Sequence, residues 1–93
     1  MSNLTERPPR RKATVLTQGM ADKLVLLDPD QGTYYTLDQV GRRVWELLDG
    51  SRTVAETVAV ICQEYGAPPM TVEADIKDLL QELRRDSLLD ENA

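Results

Sequence analysis

Past residue 13 the apolar positions of the chain change their period once, and the change divides the sequence into two halves. Between Thr14 and Leu37 they fall in short extended runs. Thr14-Val15-Leu16-Thr17 predicts a first strand, Lys23-Leu24-Val25-Leu26-Leu27 a second, and Thr33-Tyr34-Tyr35-Thr36-Leu37 a third. Gln18 to Asp22, with Gly19, reads as the first turn. Asp28-Pro29-Asp30-Gln31-Gly32 reads as the second, because proline presets φ, aspartate tolerates the bridge region and glycine accepts positive φ. With Asp28 and Thr33 flanking that turn, Leu27 faces Tyr34, Leu26 faces Tyr35 and Leu24 faces Leu37. Alternation then puts Leu24, Leu26, Tyr35 and Leu37 on one apolar face, the expected core side, and points Tyr34 and Thr36 the other way.

From Asp38 onward the period is helical. Asp38 is placed to N-cap a first helix whose stripe is Val40, Val44, Leu47 and Leu48, with Gly50 as its stop. Trp45 lies beside this stripe and is expected at a half-buried core edge. Thr53-Val54-Ala55-Glu56 is a capping box for a second helix, with Val54, Val58, Ile61, Cys62 and Tyr65 on its face and Gly66 followed by Pro68-Pro69 at its end. A third helix is predicted from about Thr71 to Asp86, carrying Val72, Ile76, Leu79, Leu80 and Leu83, after which Leu88-Leu89 turns back onto the core. Three strands followed by three helices make an α+β fold, a three-stranded antiparallel sheet with a winged helix-turn-helix-like set of helices. Residues 1–13, polar and containing Pro8-Pro9, read as a flexible basic arm. Residues 14–89 form the single domain and 90–93 a disordered C-terminus.

Composition removes most chemistry from such a domain. A chain of 93 residues, 41% hydrophobic and 4% aromatic, builds one modest core and no large enclosed pocket. With no His and one Cys there is no Cys/His zinc set, no disulfide within the chain and no Ser–His or Cys–His pair, so no catalytic residue, metal or cofactor is expected. Cys62 sits on a buried stripe as a small hydrophobe, and a lone thiol agrees with a cytoplasmic location. No apolar run reaches bilayer length, so no membrane partner is expected. Asp28, Asp30 and Gly32 fail as a calcium loop, since Thr33 and Gln39 stand where that loop needs its glycine and its bidentate glutamate. The five glycines are too dispersed to cradle a phosphate.

Charge decides against nucleic acid. The net charge of −5 is uneven: Arg7, Arg10, Arg11 and Lys12 against Glu6 make the arm +3, leaving 7 basic and 15 acidic residues in the body. The third helix carries Glu73, Asp75, Asp78, Glu82 and Asp86 against Lys77, Arg84 and Arg85, the wrong sign for a major-groove reader. A winged-helix DNA-binding regulator therefore stands only as an alternative, beside a subunit that docks an enzyme through its third strand. What remains is main-chain chemistry. The last strand of a three-stranded meander is an edge, this one has no Lys or Pro to block pairing, and the apolar third helix can wall a groove beside it.

Leu26-Leu27-Asp28-Pro29-Asp30-Gln31-Gly32-Thr33-Tyr34-Tyr35-Thr36-Leu37-Asp38, then Gly41-x-x-Val44-Trp45-Glu46-Leu47-Leu48-Asp49-Gly50-x-Arg52-Thr53-Val54-Ala55-Glu56, resembles the PqqD-like family of peptide-modification chaperones. Ala74-Asp75-Ile76-x-x-Leu79-Leu80-x-x-Leu83 and the closing Leu88-Leu89 resemble that family's terminal helix and its end. The resemblance implies a RiPP recognition element, which holds the leader segment of a ribosomally made precursor peptide against its third strand and third helix. By position, Thr33, Tyr34, Tyr35, Thr36 and Leu37 supply the strand edge, while Val72, Asp75, Ile76, Leu79, Leu80 and Leu83 border the groove, some of this apolar set serving the core instead. Gly32-Thr33-Tyr34-Tyr35 with Val40-Gly41 is more similar to the free-standing leader-binding proteins of lasso-peptide pathways, which implies a leader peptidase and a cyclase as partners. Leu37-Asp38 departs from the Leu-Asn usual in the quinone branch, whose members present a precursor to a radical SAM enzyme in pyrroloquinoline quinone biosynthesis; that branch is the alternative. The protein is expected as a monomer or a strand-mediated homodimer.

Overall fold

The computed structural model describes residues 8–90. Three strands, β1 (Leu16–Met20), β2 (Lys23–Asp28) and β3 (Thr33–Leu37), precede three helices, α1 (Gln39–Leu47), α2 (Val54–Tyr65) and α3 (Pro69–Arg85). The sheet is antiparallel in the order β1-β2-β3. β2 and β3 pair in the expected register, Leu24 with Leu37, Leu26 with Tyr35 and Leu27 with Tyr34. One face of the sheet buries Leu24, Leu26 and Leu37 against helix residues that include Val44, Ile61, Ile76, Leu80 and Leu83, and Leu88 and Leu89 close this core.

Local chemistry sets the helix ends. The Asp38 carboxylate accepts from the Gly41 N–H at 2.8 Å. Thr53 and Glu56 form the full capping box, and Gly66 ends α2 in the left-handed region at φ 63°, where glycine has no Cβ to clash.

Five expectations are corrected. β1 starts at Leu16, two residues after Thr14, because its turn is the tight Ala21-Asp22 pair; all five of its residues are exposed, so burial contributes nothing to its placement. α3 begins at Pro69 instead of Thr71, since a first-turn residue needs no N–H donor and proline's φ already suits a helix. Trp45 is buried, at 4% exposure, and Tyr65 is 42% exposed despite its place on the α2 stripe, whose C-terminal turn extends past the core.

The fifth concerns the arm. Residues 1–7 lie outside the described residues, but 8–13 are laid along the body. Main-chain N–H groups of Arg11 and Lys12 donate to the carbonyls of Leu48 and Leu88, and those of Gly50 and Asp90 donate to Pro9 and Arg10. The Arg11 guanidinium donates to the Trp45 and Glu46 carbonyls at 2.9 Å, occupying acceptors that the end of α1 leaves open. This strap covers the flank of α1 that carries Trp45. A polar sequence conceals it because its ties are main-chain groups and charges, with no hydrophobic period. Asp90 is likewise tied, through Arg10, while 91–93 lie outside the described residues.

Candidate functional site

β3 passes into α1 through a single residue, Asp38. A Cβ on Gly41 would stand 3.2 Å from both Leu37 and Asp38 side-chain atoms, so the absence of a side chain lets the first turn of α1 close down on the end of the strand. α3 lies on the other side. Between β3, the start of α1 and α3 is a cleft of about 420 Å³. Leu37, Val44 and Ile76, all nearly fully buried, face it from below; Val40 and Leu79 form its apolar walls.

The Tyr35 hydroxyl donates to the Glu82 carboxylate and bridges β3 to α3. Partial burial, with the neighbouring carboxylate second, pushes its phenol up to about 12. The charged groups lining the cleft, Asp38, Asp75, Asp78 and Glu82, are all acidic.

Among the described residues no strand pairs with the outer edge of β3, and β1 is the other free edge. The two differ in surroundings. Beneath β1 a hollow of about 520 Å³ is walled by the strap, with Arg10, Arg11 and Lys12 on it, whereas the β3 edge adjoins the apolar and acidic cleft.

The strand is anchored at its turn by Asp28. Its fully buried carboxylate accepts from Gln31 Nε2 at 2.8 Å, Lys12 Nζ at 2.9 Å and the Asp30 N–H at 3.0 Å. The Gln31 bond above all, then Lys12, holds the acid down to about 2. Turn chemistry alone explains Asp28 in the sequence; the signal for its second role is the cation at Lys12, within the stretch expected as a flexible arm.

The structure divides the residues expected at the site. Tyr35, Thr36, Leu37, Asp75, Ile76 and Leu79 meet at the cleft. Thr33 and Tyr34 lie on the same edge strand outside it; the Tyr34 side chain is 73% exposed on the outer sheet face, in line with Leu27 and Leu16. Val72, Leu80 and Leu83 are core residues. The reason is helical pitch: positions 72, 76, 80 and 83 point straight at the core, and 75, 79 and 82 lie one step around. Asp38, Val40, Gly41, Val44, Asp78 and Glu82 are cleft residues that the strand-and-third-helix picture left out. The one-residue link from β3 to α1 was the available signal for the α1 set, and the 75, 78, 82 spacing for the acids.

The model of the family described as coenzyme PQQ synthesis protein D (PqqD) matches residues 23–89. The PqqA binding protein of Xanthomonas axonopodis pv. citri is 33% identical over 92 residues, 96% of this chain and 98% of that protein. The bifunctional coenzyme PQQ synthesis protein C/D of Methylorubrum extorquens is 35% identical over 69 residues, 74% of this chain but only 18% of that longer protein. Among solved structures, TbiB1 in complex with the TbiA(beta) leader peptide is 38% identical with a TM-score of 0.78, covering 90% of this chain and 98% of that one. The PqqD truncation of Methylobacterium extorquens PqqCD, a stand-alone RiPP recognition element, is 32% identical with a TM-score of 0.74, covering 89% and 88%. A lasso peptide synthetase B1 complexed with its leader shares the fold, with a TM-score of 0.77 at 20% identity, over 89% and 98%.

Proposed function

The chain belongs to the PqqD family, and from that membership we propose that it binds the leader segment of a ribosomally synthesised precursor by adding it as a fourth strand beside β3. The bound leader is presented to the processing enzymes of a lasso-peptide pathway, a leader peptidase and a cyclase, and this chain performs no bond chemistry itself. The observation that carries the reading is the unpaired β3 edge with an apolar cleft alongside. The likeness to TbiB1, solved with a leader peptide, supports the lasso branch.

About four new main-chain hydrogen bonds at ~0.5–1.5 kcal/mol each and one or two buried leader side chains at ~1.5–3 kcal/mol must exceed an ordering cost of ~2–5 kcal/mol. At the favourable end of these ranges about 10 kcal/mol remains, and an association cost of at least ~4 kcal/mol leaves an affinity of tens of micromolar, loose enough to release the leader to an enzyme. The receiving enzyme needs a surface that the leader leaves free. The outer sheet face supplies one: Leu16, Leu27 and Tyr34 form an exposed apolar row across the strands, which a leader strand beside β3 would lengthen. The lone thiol Cys62 is compatible with work in the cytoplasm, and among the described residues no helix is long and apolar enough to cross a membrane.

The test is an N-methylation scan of the TbiA(beta) leader peptide. In strand addition only every second amide donates across the new ladder, so methylation at alternate positions abolishes binding and at the intervening ones leaves it nearly unchanged. A flat response along the peptide would sink the model. The relationship to the PqqA binding protein supports a second reading, presentation of a precursor to a radical SAM enzyme in pyrroloquinoline quinone biosynthesis. Titration with PqqA distinguishes the two: saturable binding of PqqA, with none of a lasso leader, selects the quinone branch.

A further inference from the structure

The charge lining the cleft has one sign, although the molecule's other carboxylates are often matched. Glu46 and Glu64 pair with Arg43, Asp49 with Arg52, and Asp28 with Lys12. On α3 itself Glu73 is paired with Lys77 at 2.9 Å, and stepping 100° per residue places this pair on the flank away from the cleft. On the cleft side Asp75 and Asp78 have no cationic partner among the described residues, and Glu82 has only the neutral Tyr35 hydroxyl. Asp38 adds a fourth carboxylate from the opposite wall. An apolar floor under such a rim repels an acidic strand and leaves the rim's own repulsion uncompensated.

Spacing favours one kind of occupant. Successive carboxylates 75, 78 and 82 rise about 4.5 and 6 Å along the helix, while same-side residues of an extended peptide recur every ~6.6–6.8 Å. A flexible Lys or Arg stem spans that difference. Resting on the leader-binding reading, we propose that the segment this groove accepts is a basic strand, with Lys or Arg at alternate positions facing α3 and their aliphatic stems laid over the floor formed by Leu37, Val44 and Ile76. Charge complementarity along α3 is then what separates its own leader from other extended peptides.

The experiment is competition against labelled TbiA(beta) leader peptide by two synthetic decapeptides that alternate Leu with Lys or with Glu. Two or three partly exposed ion pairs predict about tenfold tighter binding of the Lys peptide at low salt, with the ratio shrinking in about 0.5 M salt. The double variant D75K/D78K, at two exposed positions and checked for retained fold by circular dichroism, inverts the order. Equal affinity of the two decapeptides, or an order unchanged in the double variant, overturns the proposal while leaving leader binding intact. Failure of the TbiA(beta) leader and both decapeptides to bind overturns the groove reading on which it rests.

Discussion

Asp28 holds the tip of the β2–β3 hairpin from inside. Its carboxyl lies near 2 in the folded chain against an ordinary 3.8, so the ionised form favours folding above pH about 4, and that contribution is lost as pH falls from there through 2. Denaturation midpoints of Asp28→Asn are expected below those of the parent at pH 6, with the gap closing toward pH 2. Tyr35 behaves oppositely. Its phenol is raised from 10.0 to about 12, so the folded state holds a proton that the unfolded state releases, and stability falls as pH climbs through that interval. Tyr35→Phe should lose that alkaline sensitivity, measured by fluorescence-monitored unfolding, and cost roughly 0.5–1.5 kcal/mol at neutral pH from the missing bond to Glu82.

Each element is bounded by its own punctuation, and that is why most of them agree with local pattern. The α2 N-terminus satisfies two main-chain donors reciprocally, Glu56 N–H to Thr53 Oγ1 at 3.1 Å and Thr53 N–H to Glu56 Oε1 at 2.9 Å. Thr53→Ala should lower the unfolding free energy by about 1 kcal/mol in a urea titration, with an unchanged slope. β3 and α3 were legible as elements, including the strand's pairing register, because one buried face makes a one-residue slip costly. Which flank of α3 borders the cleft was not legible. A stripe of Val72, Ile76, Leu79, Leu80 and Leu83 wider than one contact line serves both core and groove, and only the approach of β3 and α1 divides it.

At the scale of the molecule, one core supports everything. Leu83 is fully buried within it, and Leu83→Ala should cost about 2–5 kcal/mol, a large share of the ~5–15 kcal/mol typical of a domain. The strap joins the chain's beginning to its end: Arg10 reaches Asp90 at 2.9 Å, and Arg11 bridges to Leu89 across the sheet-like contact. A chain beginning at Thr14 exposes Trp45 and leaves the buried Asp28 without Lys12. Such a truncation is expected to lower the thermal midpoint and shift Trp45 emission to longer wavelength; an unchanged midpoint would show the strap to be energetically idle.

By itself the sequence determined the six elements, the β2–β3 register, the N-cap of α1, both caps of α2 and the return of Leu88-Leu89, because each follows from periodicity, turn chemistry or caps acting over a few residues; α1 ends at Leu47 with Leu48 as its C-cap, short of the expected stop at Gly50. Tertiary structure alone decided that residues 8–13 brace the fold, that Trp45 is interior, that Asp28 is a buried ionic anchor, and that Asp38, Val40, Asp78 and Glu82 join the cleft. Those outcomes depend on groups far apart in the chain being brought to one place by the common core, and no local pattern encodes that meeting.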